Sequence, residues 1–252
     1  MNRDDQIAEL AGRIQDGSRI TVLTGAGVSA ASGVPTFRGR EGLWRNYSPQ
    51  QLATTEAFRR DPKLVWEWYN WRRELISKCR PNAAHDVLAA WSRRYPGFTL
   101  ITQNVDGLHE LAGTDNVVRF HGSIWEVFCW EACPSSPPRW WDNRVPLPDI
   151  PPHCPYCPGL LRPGVVWFGE GIDGEVLERS WQAVRCDIFL AVGTSAVVYP
   201  AAGFADEARS RGAFIVEINP EATPGTGAVD LAIQSRAEEV LPMIESRLAV
   251  KS

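Results

Sequence analysis

An α/β fold with a parallel sheet, interrupted by a smaller cysteine-bearing module, is predicted from three observations. Apolar runs of strand length alternate with segments of helical periodicity along much of the chain, the pattern of strand–helix–strand crossovers. The first such run, Ile20 to Leu23, leads directly into Thr24-Gly25-Ala26-Gly27-Val28-Ser29-Ala30. Between residues 123 and 163 the composition shifts to proline, tryptophan and paired cysteines.

Taken in order, Ile7, Leu10, Ala11 and Ile14 recur at helical spacing and predict an amphipathic helix that ends near Gly17. The strand and glycine loop that follow match GxGxxA, the Rossmann dinucleotide fingerprint, in which backbone N–H groups after a strand cradle a phosphate. The next residues depart from a standard βαβ unit. Gly33 and Pro35 stop any helix within a turn or two, and no strand-like run precedes Glu41. Residues 36 to 60 read as a long loop with short helical pieces. Asp61 and Pro62 supply an N-cap and an N1 proline for a helix through Trp66, Tyr69, Arg72 and Ile76. Asn82 caps another, with Val87, Leu88 and Trp91 on its apolar face. Strands are expected at 98–102, 117–120, 187–192 and 213–218, with helical stretches near 174–185, 199–211 and 237–248. No internal repeat is present.

The 252 residues suit one large domain carrying a smaller insert, and the net charge of −4 offers no broad basic face for nucleic acid. The N-terminus lacks the apolar core of a signal peptide, and no run is long enough to cross a bilayer. A cytoplasmic protein is expected, without membrane or direct nucleic-acid partners. In that compartment clustered cysteines are metal ligands more often than disulfides. Cys129-x3-Cys133 and Cys154-x2-Cys157 have the spacing of a closed, four-thiolate structural zinc site that folds a module with little core of its own. Cys79 and Cys186 stand apart from the cluster and read as buried apolar residues.

The polar residues fall in one place. Gly25, Gln103-Asn104, His121, Gly193-Thr194-Ser195 and Asn219 each stand just past the carboxyl end of an expected strand. In open α/β sheets that edge binds ligands, and five convergent stretches outweigh one glycine motif. His121 is the candidate general base there. His85, His109 and His153 lack that setting, and His109 reads as a structural hydrogen-bonding group. No GxSxG elbow or Walker motif is present.

Together GAGVSAASGVPTFRG (25–39), TQNVDGLH (102–109), the FHG around His121, the cysteine pairs, VVWFGE (165–170), GTS (193–195) and IN (218–219) resemble, in the same order, the sirtuins, which are NAD-dependent protein-lysine deacylases. The resemblance covers nearly the whole chain. It implies a large Rossmann-like domain over about 1–35, 80–122 and 164–252. A small domain of a helical part (36–79) and a zinc module (123–163) would complete the unit. It also implies NAD as co-substrate and one structural zinc held by Cys129, Cys133, Cys154 and Cys157.

By the same resemblance Gly25, Ala26 and Gly27 lie against the pyrophosphate, and Phe37 and Arg38 close over the nicotinamide ribose. Asn104 and Asp106 hold the nicotinamide end, and Gln103 the ribose hydroxyls. Ser29, Thr36, Trp44, Val105 and Thr194 complete the expected dinucleotide contacts, with Gly193, Ser195, Asn219 and Ala237 at the adenosine half. Asn104 and His121 are the implied catalytic residues. The acyl oxygen attacks the ribose carbon as nicotinamide leaves, and His121 acts as base on a ribose hydroxyl. Val166, Trp167, Phe168 and Gly169 are expected to pair with the substrate peptide as an added strand.

Tyr69 and Arg72 lie one helical turn apart and share a face. This Tyr-x-x-Arg, together with Ala53 in QLAT, resembles the subgroup that removes succinyl, malonyl and glutaryl groups from lysine. The expectation is a monomeric deacylase of that preference with weaker action on acetyl-lysine. A general deacetylase, an ADP-ribosyltransferase of the same fold or a non-catalytic NAD-binding scaffold is the alternative. Two departures from the family pattern are the three-residue gap between Cys129 and Cys133 and Thr36, where many sirtuins have aspartate.

Overall fold

The structure is a computed structural model that describes residues 2–37, 48–195 and 197–249. Helix α1 (Arg3–Arg13) precedes strand β1 (Ile20–Thr24), and a 3-10 turn over Ala26–Ser32 follows. Then come α2 (Pro49–Leu52), α3 (Thr55–Arg60), α4 (Pro62–Ile76), α5 (Ala83–Arg94) and β2 (Phe98–Thr102). The short α6 (Leu108–Leu111) leads to β3 (Val117–Arg119), β4 (Gly122–Cys129), β5 (Trp140–Trp141) and β6 (Leu161–Val165). The chain closes with α7 (Gly174–Ala183), β7 (Ile188–Val192), α8 (Phe204–Ser210), β8 (Phe214–Ile218), β9 (Leu231–Ile233) and α9 (Ala237–Ala249). No helix among the described residues is long and apolar enough to cross a membrane.

Six strands form one parallel sheet in the order β3-β2-β1-β7-β8-β9. Both faces are covered, so β1 and β7 are buried at every position and read as continuous apolar runs. Alternate residues feed two cores. Val22, Leu100, Leu190 and Val216 pack with Leu10, Trp91 and Ile244 of α1, α5 and α9 on one face. Leu23, Ile101, Phe189 and Ile215 pack with Phe204 and Val184 on the other. From β1 the strand order runs outward through β2 to β3, and from β7 outward through β8 to β9. The reversal between β1 and β7 is a topological switch point, where a crevice opens at the carboxyl ends.

A second sheet, β5-β4-β6, is antiparallel. It shares a third core with α2 to α4, built on Phe58, Trp66, Trp68, Tyr69, Ile124, Leu161 and Trp167. Helix α4 starts as expected: Asp61 Oδ1 accepts the Leu64 N–H at 2.9 Å, with Pro62 at the first helical position. The sheet β4–β6 and the edge strand β9 are additions to the sequence-based expectations.

Candidate active site

The crevice at the switch point is a cavity of about 870 Å³, within the range of small-ligand sites. Its floor is a mesh of two loops. A Cβ on Gly25 would lie 2.7 Å from the Gly193 carbonyl oxygen, one on Gly27 2.8 Å from Gly193 Cα, and one on Gly193 2.6 Å from the Val28 nitrogen. These glycines are therefore required by main-chain contact between the loops, in addition to any ligand. Their bare backbone fits a bulky anionic group, and the Ala26 N–H has no partner among the described residues.

Gln103 continues the floor: its N–H donates to the Thr24 carbonyl at 3.0 Å and its Nε2 to Thr194 Oγ1 at 2.8 Å. Asn104 donates Nδ2 to the Gly25 carbonyl at 3.1 Å and to Ser29 Oγ at 3.3 Å, which leaves Oδ1 as an acceptor. Ser29 and Asp106 lie behind this wall. Ser29 Oγ donates to Asp106 Oδ2 at 2.8 Å, and the Leu108 N–H to Asp106 Oδ1 at 2.9 Å. Burial raises the Asp106 pKa against those two bonds. Asp106 lies behind Ser29 and is not among the residues that line the cavity, where the family resemblance implies a contact with the nicotinamide end.

His121 sits between β3 and β4. Its Nδ1 lies 3.1 Å from the Gln103 carbonyl, so the proton is on Nδ1 and Nε2 is left basic. Burial lowers its pKa, and the bond to Gln103 opposes that shift. Gly122 next to it has φ +77°, and a Cβ there would fall 2.1 Å from the Gly164 carbonyl oxygen. Only glycine permits this turn, and the turn aims His121 into the cavity. His109 is fully enclosed at 3.0 Å from Thr24 Oγ1, and His85 closes a capping box on α5. Both are structural, as expected of His109.

Thr36, Phe37, Val105, Thr194, Ser195, Asn219 and Ala237 line the same cavity, as do Ala53, Tyr69, Arg72, Val166, Trp167, Phe168 and Gly169. Arg38 and Trp44 lie outside the described residues. Tyr69 is enclosed, and burial raises its pKa, so it keeps its proton at neutral pH. Arg72 is only 6% exposed, and its Cζ lies 4.9 Å from the ring centroids of Phe37 and of Trp68 and 5.9 Å from that of Tyr69. Among the described residues no carboxylate or carbonyl accepts from its guanidinium. Neighbouring Arg73 is different: it is buried between Trp66 and Trp125, donates Nε to the Ile124 carbonyl at 2.8 Å and lies 3.9 Å from Asp142.

The segment expected to pair with a peptide is already partly engaged. Val166 N–H donates to the His121 carbonyl at 3.0 Å, Phe168 N–H to the Ala53 carbonyl at 2.9 Å, and Trp167 N–H to Glu170 Oε2 at 2.8 Å. The Val166 carbonyl and both the N–H and the carbonyl of Gly169 are left without partners among the described residues. Any added strand is therefore limited to those groups and is not a full ladder.

Two side-chain contacts were absent from the sequence reading. Trp125 donates Nε1 to the Asp106 carbonyl at 2.6 Å, while Ile124 N–H donates to the Val105 carbonyl at 2.9 Å. These bonds brace the 103–107 loop from β4. Trp167, expected only as part of the peptide-pairing segment, donates Nε1 to Tyr69 Oη at 3.0 Å. Neither contact has a sequence signal, since tryptophans abound here.

Away from the cavity, the Sγ atoms of Cys129, Cys133, Cys154 and Cys157 all lie within 4.8 Å of one another. The Cys129–Cys157 and Cys133–Cys154 separations are 3.6 and 3.9 Å. Four thiolates at about 2.3 Å from a tetrahedral zinc are about 3.8 Å apart, so the cluster fits that ion. The wider Cys129–Cys133 gap is accommodated.

A parallel sheet with glycine loops at its switch point, a histidine facing the crevice and a remote thiolate cluster defines the class of dinucleotide-using α/β proteins with a structural metal module. The Sir2 family model matches residues 25–200, and the chain belongs to the Sir2 family. It is 49% identical over 233 residues to an NAD-dependent protein deacylase of Aquifex aeolicus, covering 92% of this chain and 96% of the relative. Among solved structures it is similar to a Sir2 homologue mutant–ADP-ribose complex, with TM-score 0.90, 43% identity and 96% of each chain covered. A Sir2–p53 peptide–NAD+ complex is similar at TM-score 0.79 and 27% identity, with 98% of this chain and 97% of that one covered.

Proposed function

We propose that this Sir2-family chain is an NAD-dependent protein deacylase that transfers acyl groups from lysine to ADP-ribose, with preference for acyl chains ending in a carboxylate. Bound NAD supplies the ribose carbon that receives the acyl oxygen as nicotinamide departs. The chain's own residues do the rest. The Gly25–Gly27 and Gly193 loops carry the pyrophosphate. Asn104 Oδ1 orients an amide donor at the nicotinamide end. His121 Nε2 removes a proton from a ribose hydroxyl, its Nδ1–H staying on Gln103.

One observation carries the preference. Arg72 is a cation on the wall of the cavity, enclosed by three rings and, among the described residues, without a hydrogen-bonded or ion-paired carboxylate; the buried Asp106 carboxylate acts on it only through space. A buried cation is normally paired. A carboxylate at the end of an acyl chain pairs it, with the Tyr69 hydroxyl as a second donor and small Ala53 leaving room.

The test is a side-by-side assay. Acetyl-, malonyl-, succinyl- and glutaryl-lysine versions of one peptide meet enzyme and NAD, with products read by mass spectrometry. The acidic acyl groups are expected to leave faster. Arg72→Met is expected to lower kcat/KM for succinyl-peptide about tenfold or more beyond its effect on acetyl-peptide, from loss of a charge-assisted hydrogen bond. Equal losses on both substrates contradict the carboxylate role. Free lysine plus O-acyl-ADP-ribose distinguishes deacylation from ADP-ribosylation of the peptide, and nicotinamide release excludes a passive scaffold.

A further inference from the structure

The phenol of Tyr69 is held from behind. Trp167 Nε1–H donates to Tyr69 Oη at 3.0 Å, and both residues are only 2% exposed. A phenolic oxygen has one proton to give and accepts in the plane of its ring. With the indole donating from one side, the hydroxyl proton turns to the other. Among the described residues nothing accepts it.

Trp167 has no freedom to release that bond. Its backbone N–H is on Glu170 Oε2 at 2.8 Å. The Arg162 guanidinium lies 3.6 Å from the indole centroid and is itself fixed to Glu170 at 2.5 and 3.0 Å. Phe58 closes the other approach, with ring centroids 5.4 Å apart. A cation against the indole face draws electron density from the ring and strengthens its N–H as a donor. Accepting a strong hydrogen bond in turn makes the phenol a better donor.

We infer that Trp167 is a positioning residue for acyl selectivity: its indole N–H fixes the Tyr69 hydroxyl so that its proton meets the carboxylate of the acyl chain beside Arg72. The inference rests on the carboxylate preference proposed above. It assigns the Trp167 side chain a role separate from its backbone, which belongs to the loop beside the peptide.

The test uses intact enzyme, with NAD and matched succinyl- and acetyl-peptides. Trp167→Phe keeps an aromatic ring and removes the donor. The succinyl/acetyl ratio of kcat/KM is expected to fall about threefold to tenfold, the scale of one hydrogen bond. Tyr69→Phe is expected to lower the same ratio, and adding Trp167→Phe to it should lower the ratio no further. Wild-type preference for succinyl with an unchanged ratio in Trp167→Phe overturns the inference and leaves the carboxylate reading standing. A wild-type enzyme without acidic preference overturns both. Should Trp167→Phe fail to fold, the isosteric Tyr69→Phe carries the test by NMR. The Trp167 indole N–H resonance is expected to shift in Tyr69→Phe and, in wild type, to respond to succinyl-peptide but not to acetyl-peptide. An indole resonance indifferent to both changes overturns the inference.

Discussion

At the scale of single residues, the two ring nitrogens of His121 are divided between structure and chemistry. His121 gives its Nδ1 proton to the Gln103 carbonyl and keeps Nε2 for chemistry. Burial lowers its pKa, so the neutral, basic imidazole persists to lower pH than in water. The acid limb of kcat/KM against pH is accordingly expected below the ordinary histidine value of 6.5. His121→Ala should abolish turnover while calorimetry still detects NAD binding. Full activity in that variant, or an acid limb above the ordinary value, contradicts the assignment of the base. The location of His121 was legible because it follows a strand end in a series of such ends. The inward turn of Asp106 was not. It depends on Ser29, 77 positions away in the chain, and a carboxylate's direction is settled by partners that only the folded chain brings near.

At the scale of elements, β4 is the brace of the 103–107 loop. Ile124 and Trp125 tie it to Val105 and Asp106, and Arg73 of α4 ties Ile124 in turn. Trp125→Phe leaves the Asp106 carbonyl without its partner. The KM for NAD is expected to rise about threefold to tenfold, with zinc content unchanged, as steady-state kinetics and metal analysis would show. Unaltered KM would make Trp125 packing alone. The parallel strands were readable because burial on both faces makes them apolar throughout, as in Ile188–Val192. Strand β6 was not readable: Leu161–Val165 contains Pro163 and Gly164, both strand breakers by composition. It is tolerated because β6 is an edge of its sheet, where a missing N–H costs no ladder bond. Strand β4 pairs through an irregular register between Gly122 and Val127, which obscures its period.

At the scale of the whole molecule, two sheets with separate cores meet along one cavity, and the thiolate cluster organises the end of the smaller one. About one zinc per chain is expected by elemental analysis, and chelation should lower the melting temperature and remove activity together. A metal-free chain that stays folded and fully active contradicts that role. The cysteine spacing announced this cluster without any structure, because ligand geometry is short-range and spacing encodes it. The meshing of the β1 and β7 loops was beyond such reading. Gly25 and Gly27 looked like accommodation for a ligand, yet each is also pressed against the main chain at Gly193. That has a consequence for the descent of the protein. A bulky residue in a core can be offset by a smaller one opposite, but here the opposing atoms are backbone and offer nothing to shrink. No paired replacement restores the fit, so a lineage carrying this crevice is held at these glycines even where the ligand itself is surrendered.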